Sequence, residues 1–137
     1  YINNDINKVF NKLDEYHKDN WLCNKYKDLI LDLYENSDDY FSIITAELYD
    51  KNTNELIAAE IGYKINSTYT SLSGFSTKNK IYNNWGKLQM VLLGFYLKKN
   101  KFSFWNLGHP YMQYKFDLGA KLFAREEFLK KWLVEIQ

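Results

Sequence analysis

The feature that most restricts this chain's fold is a stretch of β-patterned sequence in its middle, bounded on both sides by helical spacing. Phe41–Tyr49, Leu56–Ile65 and Thr68–Phe75 are each rich in aromatic or β-branched residues. Turn formers separate them, Asp50–Asn54 after the first run and Asn66–Ser67 after the second. Connections this short join antiparallel neighbours, so a β-meander is expected. Its third strand ends in an unusual Ser/Thr/Gly-rich stretch.

Ahead of the meander the apolar residues follow a helical period. Ile6, Val9, Phe10, Leu13 and Tyr16 recur at three- and four-residue steps, and Asn4 or Asp5 can cap the helix they define. Lys18–Asn20 interrupts it. A second helix is expected from about Asn24 to Glu35, with Tyr26, Leu29, Ile30 and Leu33 inward, and Asn36–Asp39 is a polar break. Beyond the meander, a polar loop at Ser76–Asn83 leads into a long helix from about Asn84 to Lys99. Met90, Val91, Leu93, Gly94 and Leu97 give that helix an apolar stripe, and Lys98–Lys101 set cations at its negative pole. Then follow a short apolar strand at Phe102–Leu107 and a helical segment at Tyr111–Leu118 closed by Gly119. A short strand at Lys121–Phe123 and a closing helix at Arg125–Val134 complete the reading. The whole chain, 1–137, reads as one α/β domain of the α+β kind, a mostly antiparallel sheet flanked by helices. This element order is similar to that of the GNAT acyltransferase fold.

Composition removes several function classes. With 46% hydrophobic and 26% charged residues the chain has the makings of a core. A net charge of +1 excludes a global basic field, so any RNA contact must come from a local patch or from a segment outside this sequence. Its single cysteine, Cys23, excludes an intrachain disulfide and favours an intracellular, cytoplasmic setting. The longest apolar run, near Met90–Leu93, is far too short to span a membrane. No secretory leader is visible. The chain begins with Tyr1 rather than Met and is expected to be the C-terminal part of a longer protein.

The common chemical motifs are missing. His17 and His109 have no second ligand at a metal-binding spacing, so no metal is expected. There is no phosphate loop of the G-x-x-x-x-G-K-[ST] type, no G-x-G-x-x-G and no G-x-S-x-G elbow. Cys23 fits a small buried hydrophobe better than a nucleophile. GNAT acetyltransferases carry a [RQ]-x-x-G-x-[GA] pyrophosphate loop before the long helix. Here that stretch, Lys80 to Lys87, holds one glycine, which disfavours acetyl-CoA. No cofactor is expected.

The second half carries the informative motifs. Gly74-Phe75-Ser76 follows a strand, and Asn84-Trp85-Gly86-Lys87 opens the long helix. Leu118-Gly119-Ala120 is followed by Arg125-Glu126-Glu127-Phe128-Leu129. In this order the segments resemble the leucyl/phenylalanyl-tRNA–protein transferase family. Its third strand ends in G-E-S-M-F-S, its helix opens with N-A-S-K, then come I-D-C-Q and S-L-G-A-x-x-I-P-R-x-x-[FY]-L. Ser73, Phe75 and Ser76 match the first motif, Asn84 and Lys87 the second. Leu118, Gly119, Ala120, Arg125, Phe128 and Leu129 match the last. Upstream, Asn20-Trp21-Leu22 resembles the family's T-W-I. Two departures stand out: the family's glutamate falls on Leu72, and its aspartate and glutamine fall on Asn106 and Gly108.

The resemblance implies a transferase that moves an amino acid from aminoacyl-tRNA onto the α-amine of a protein or peptide N-terminus, an N-degron reaction. The ester is already activated, so neither metal nor coenzyme is called for. The family's aspartate and glutamine activate the amine. Asn106 can hydrogen-bond but is no charged base, Gly108 offers only backbone, and the neighbouring His109 is the alternative base. A bulged or splayed strand end at Ser71–Gly74 would expose backbone N–H groups to the developing oxyanion. Trp21 is the stacking platform for the terminal adenosine, and Tyr69 and Phe75 wall the amino-acid pocket beside Leu72 and Ser73. Lys87 and Arg125 are candidate phosphate contacts. The donated residue is leucine or phenylalanine by resemblance, with arginine allowed by the altered pocket. The alternative, favoured by Asn106 and Gly108, is a non-catalytic protein that binds charged tRNA or an N-terminus.

Overall fold

The β-patterned runs fold as a meander in a computed structural model that describes residues 1–19 and 21–137. Strands β1 (Phe41–Tyr49), β2 (Leu56–Ile65) and β3 (Thr68–Ser76) pair antiparallel, from Phe41↔Ile65 and Ile65↔Thr68 outward. Asn66 takes a left-handed φ of +47° in the tight turn between β2 and β3, a conformation Asn tolerates better than most residues. The long helix α3 (Trp85–Lys99) then crosses over to β4 (Phe104–Asn106), which pairs parallel to β3 through Thr68↔Phe104, Tyr69↔Trp105 and Thr70↔Asn106. The sheet order is β1-β2-β3-β4. Ile2 adds an antiparallel bridge to Ala46 on the outer side of β1.

Helices cover both faces. On one, α1 (Ile6–Tyr16) buries Ile6, Val9, Phe10 and Leu13 against Ile43, Ala59, Ile61 and Phe75. Asp5 caps it, accepting from the Lys8 N–H at 2.9 Å. Val9 and Leu13 are fully buried, each contributing about 1.5–3 kcal/mol of apolar transfer energy. Beside it, α2 (Asn24–Glu35) buries Ile30 and brings Leu31, Leu33 and Tyr34 to the same core. Tyr26 and Leu29, expected inward, are exposed. The spacing of α2 fits two overlapping faces, and the one through Ile30, Leu33 and Tyr34 meets the sheet. On the opposite face α3 packs Leu93 and Leu97 against Ile44, Ala46 and Tyr69, with Trp105 alongside. Leu88, Leu92 and Phe95 point outward, so α3 is apolar on more than its buried stripe.

A buried acid ties the N-terminal segment to the sheet. Glu47 accepts from the Asn4 and Asp5 N–H groups at 3.0 Å each, from Thr45 Oγ1 at 2.6 Å and from the Tyr49 hydroxyl at 2.8 Å. Burial pushes its carboxyl up, but these bonds outweigh burial and hold it below the ordinary range. Burial, together with the bond to Glu47, pushes the Tyr49 phenol up to about 12.

The C-terminal third holds two helices, α4 (Gln113–Asp117) and α5 (Arg125–Glu135). Gly119 follows α4 at φ +96°, the left-handed cap expected of it. Phe128 of α5 meets Phe104 edge to face at 5.4 Å, and the Glu135 carboxylate accepts from Ser67 and Ser103. Lys121–Phe123, expected to be a strand, is not one. Its chain leads into α5 through the extended Ala124 with no strand beside it, and Phe123 sits under the Lys131 ammonium instead. A 3-10 turn at Lys80–Tyr82 interrupts the expected loop before α3. Among the described residues no helix is long and apolar enough to cross a membrane.

Candidate functional site

Pairing between β3 and β4 stops at Thr70↔Asn106, although β3 continues to Ser76. From Ser71 onward the β4-side edge of β3 therefore has no strand partner among the described residues. The same stretch carries a β-bulge. Ile61 faces Ser73 and Gly62 faces Ser71, which leaves Leu72 as the extra residue. A one-residue slip exchanges the faces of a strand. Tyr69 and Ser71 thus lie on the α3 face, while Ser73 and Phe75 continue on the α1 face.

The α3 face of this region holds a hydrogen-bonded carboxyl. Glu60, on β2 and only 6% exposed, accepts from the Tyr69 hydroxyl and the Ser71 hydroxyl at 2.8 Å each, both on Oε1. Ser71 Oγ in turn accepts from the Trp105 indole N–H at 3.0 Å. A Cβ at Gly62 would overlap the Tyr69 phenol and the Thr70 carbonyl, so only glycine lets the tyrosine lie across β2 to reach Glu60. Burial pushes the Glu60 carboxyl above its ordinary range, although the Ser71 and Tyr69 bonds and the Lys115 charge pull it down. The Tyr69 phenol is raised well above its usual value by burial and by the Glu60 charge. Lys115 and Tyr114 of α4 also feel Glu60. Burial lowers the lysine and raises the tyrosine, while Glu60 pulls both upward.

On the other side of Trp105 lies an open groove of about 860 Å³ between α3, β4 and the α4–α5 segment. Met90, Gly94, Trp105, Phe116, Leu122 and Phe128 supply its apolar wall. Its charged lining consists of Lys115, Lys121 and Arg125, with no acid. Lys115 donates to the Leu107 and His109 carbonyls at 2.6 and 3.0 Å, which shapes the loop that forms one rim. A smaller hollow of about 460 Å³ near Asn3, Lys64 and Lys101 contains none of the residues singled out from the sequence.

The expected site residues separate into groups. Asn106, Gly108, His109 and Arg125 all line the groove. The Asn106 side-chain oxygen, Oδ1, accepts the Gly108 N–H at 3.0 Å, so that backbone donor is already engaged, and Gly108 has φ +74°. His109 is exposed, its ring 5.4 Å from that of Tyr111, with the Tyr111 N–H 3.4 Å from Nδ1. Leu72 and Ser73 sit half-buried at the bulge, and Ser76 ends β3 exposed. Two pocket residues prove to be core. Tyr69 is fully buried and directed at Glu60, while Phe75 stacks on Tyr16 at 5.2 Å beneath α1. Helices cover both faces of β3, α3 over Tyr69 and α1 over Phe75, so both side chains are buried. Asn84 is the N-cap of α3 in a left-handed conformation, φ +67°, and Lys87 is exposed in the first helical turn. Trp21 is 49% exposed and packs edge-on against Tyr26 at 5.8 Å, outside the groove. Of the Asn20-Trp21-Leu22 motif, Asn20 lies outside the described residues. Cys23, expected to be buried, is exposed at the N-cap of α2.

Sequence reasoning missed Glu60. The signal was there, since Leu56–Ile61 is apolar at every position except this one. A strand apolar on both faces is covered on both, so an acid within it must be buried and partnered. Among the described residues no three His, Cys, Asp or Glu side chains gather where a metal ion could be held.

No protein-family model matches the chain, and no curated protein does. A solved structure, that of a point mutant of the BH1408 protein from Bacillus halodurans, is similar over 86% of this chain and 83% of its own. The TM-score is 0.54 at 10% sequence identity, which shows a shared mixed α/β fold and nothing of chemistry.

Proposed function

We propose that this chain is the GNAT-like domain of an aminoacyl-tRNA–protein transferase, moving an amino acid from charged tRNA to the α-amine of a protein N-terminus. One observation carries the reading. A bulged, half-unpaired strand (β3) stands beside a parallel neighbour reached through a crossover helix, with a cation-lined groove on the far side of Trp105. An unpaired strand edge offers peptide N–H and C=O groups to an acyl donor and to a peptide acceptor. Donors of that kind at a developing oxyanion are worth about 2.7–4 kcal/mol each. Holding amine and ester together contributes several kcal/mol more. In the groove, Lys115, Lys121 and Arg125 supply a local positive field on a chain of net charge +1, suited to the phosphates at the end of a tRNA. The exposed Trp21–Tyr26 pair offers a stacking surface for a base.

The test offers the protein tRNA charged with radiolabelled leucine, phenylalanine or arginine, together with peptides bearing free or acetylated N-termini. Label is expected on the free peptide alone. Cys23→Ala should leave the rate unchanged, and Arg125→Ala should raise KM for charged tRNA. Failure of all three charged tRNAs to pass label would end the transferase reading.

A second reading, binding without turnover, is favoured by the closed Asn106–Gly108 contact, which occupies the amide that stands where the family has an acid. It predicts saturable binding of charged tRNA or peptide with no label transferred.

A further inference from the structure

We propose that Ser71 and Glu60 form the proton relay of the transfer: Ser71 Oγ takes a proton from the incoming α-amine and passes its own to Glu60. This rests on the transferase reading and names the residues that replace the acid missing at Asn106.

Ser71 is the centre of a hydrogen-bonded chain from Trp105 to Glu60. A serine hydroxyl has one donor and two acceptor lone pairs. Its donor is spent on Glu60 Oε1 and one lone pair on the Trp105 N–H. The second lone pair remains, on a half-buried residue at the first position of β3 where pairing with β4 has ended, while pairing with β2 continues through Gly62. An amine that reaches the α3 face at this position meets an acceptor already coupled to a carboxylate. Glu60 is suited to receive the proton. Both its donors converge on Oε1, and no hydrogen bond from the described residues reaches Oε2. Ser71 is fixed from the other side by Trp105, whose indole also walls the groove.

Atoms balance without a further reactant. The amine nitrogen attacks the ester carbonyl carbon and the C–N bond forms. One N–H proton moves to Ser71 Oγ as the Ser71 proton moves to Glu60. The tetrahedral intermediate then expels the ribose oxygen, which takes the proton back from Glu60 through Ser71. Ser71 touches the substrate, whereas Glu60 acts through it as a positioning and proton-holding residue. Burial suits Glu60 to this role, because a carboxyl raised above its ordinary range is a stronger base near neutral pH.

The experiment measures single-turnover label transfer against pH for the wild-type chain, Glu60→Gln, Ser71→Ala and Ser71→Thr. Glutamine keeps an acceptor at Oε1, so both hydrogen bonds survive, and thermal melts check that each variant is folded. Glu60→Gln and Ser71→Ala are expected to lower the rate about 100-fold, the lower end of general-base effects. Ser71→Thr, which keeps the hydroxyl, should recover most of it, and Glu60→Gln should erase the acidic limb of the pH profile. An active wild type whose rate and pH profile are unmoved by Glu60→Gln would overturn the relay and leave the transferase reading standing. A second measurement is independent of turnover: NMR of the Glu60 carboxyl on addition of a short peptide. A free N-terminus should shift that signal and an acetylated one should not. No response to the free amine overturns the relay. A response from a chain that transfers no label keeps the amine site and removes the transferase reading.

Discussion

Glu47 and Glu60 are both buried acids on this sheet, yet the balance of hydrogen bonding against burial shifts them in opposite directions, Glu47 down and Glu60 up. Glu47 has donors on both oxygens, and they outweigh burial. Glu60 has two donors on a single oxygen, and burial wins. The consequences for stability have opposite signs. Glu47 is lowered, so its contribution is present above the ordinary carboxyl range and is lost as pH falls through its folded value. Glu60 is raised, so the folded state loses stability as pH climbs from the ordinary carboxyl range to its folded value. Glu47→Gln is therefore expected to cost about 2 kcal/mol at neutral pH, because an amide cannot accept on both atoms. That cost should shrink on acidification. Glu60→Gln should be at least as stable as wild type at neutral pH, with its advantage gone in acid. Urea unfolding at several pH values checks both, and parallel pH curves for the two variants would refute the assignment.

Among the elements, those with one clear period were legible in the sequence. β1, β2 and α2 have the expected bounds, because polar breaks and turn formers mark their ends, and α1 buries the expected stripe. Legibility ran out where partners decide. Lys121–Phe123 has strand-like composition but no neighbour to pair with, and Tyr26 and Leu29 lost to an alternative face of the same helix. In the candidate site, the segment Asn106–His109 lines the groove, since a loop between a strand end and a helix stays at the surface, but no residue of β3 lines it with them. Tyr69 was misassigned to the pocket because its partner, Glu60, lies on another strand, nine residues back. Asn84 shows how a resemblance and a structural duty can coincide. At φ +67° it starts α3 in the left-handed region without a side-chain capping bond. Asn84→Ala should cost about 1 kcal/mol through backbone strain, and Asn84→Gly nearly nothing. Comparing the two separates the roles. If Asn84→Gly keeps full stability yet loses transfer, the side chain binds substrate, whereas full transfer confines Asn84 to starting the helix.

Taken whole, the molecule has an uneven distribution of burial. The core lies between α1, the meander and α3, where Val9, Leu13, Ile57, Ile61 and Tyr69 are almost fully shielded. By contrast α4 and α5 contain no fully buried residue, and Leu122, Leu133 and Val134 stand exposed. What holds α5 is concentrated at its C-terminal end, through Ser67, Ser103 and Tyr40, and in the Phe104–Phe128 contact. Its N-terminal end, with Arg125, is tied less firmly, and this is the end that borders the groove. Stretches with little buried apolar contact open locally at lower free energy than the core. Amide hydrogen exchange should therefore show residues 107–130 exchanging through local opening while β1, β2 and α1 exchange only with global unfolding. If the groove receives the acylated end of a tRNA, a non-hydrolysable aminoacyl-adenosine should slow exchange in α4 and at the start of α5 and leave β1 unchanged. Uniform protection across the chain would remove the premise that this wall moves. Slowing confined to the region of Asn3 and Lys101 would relocate the binding site to the smaller hollow.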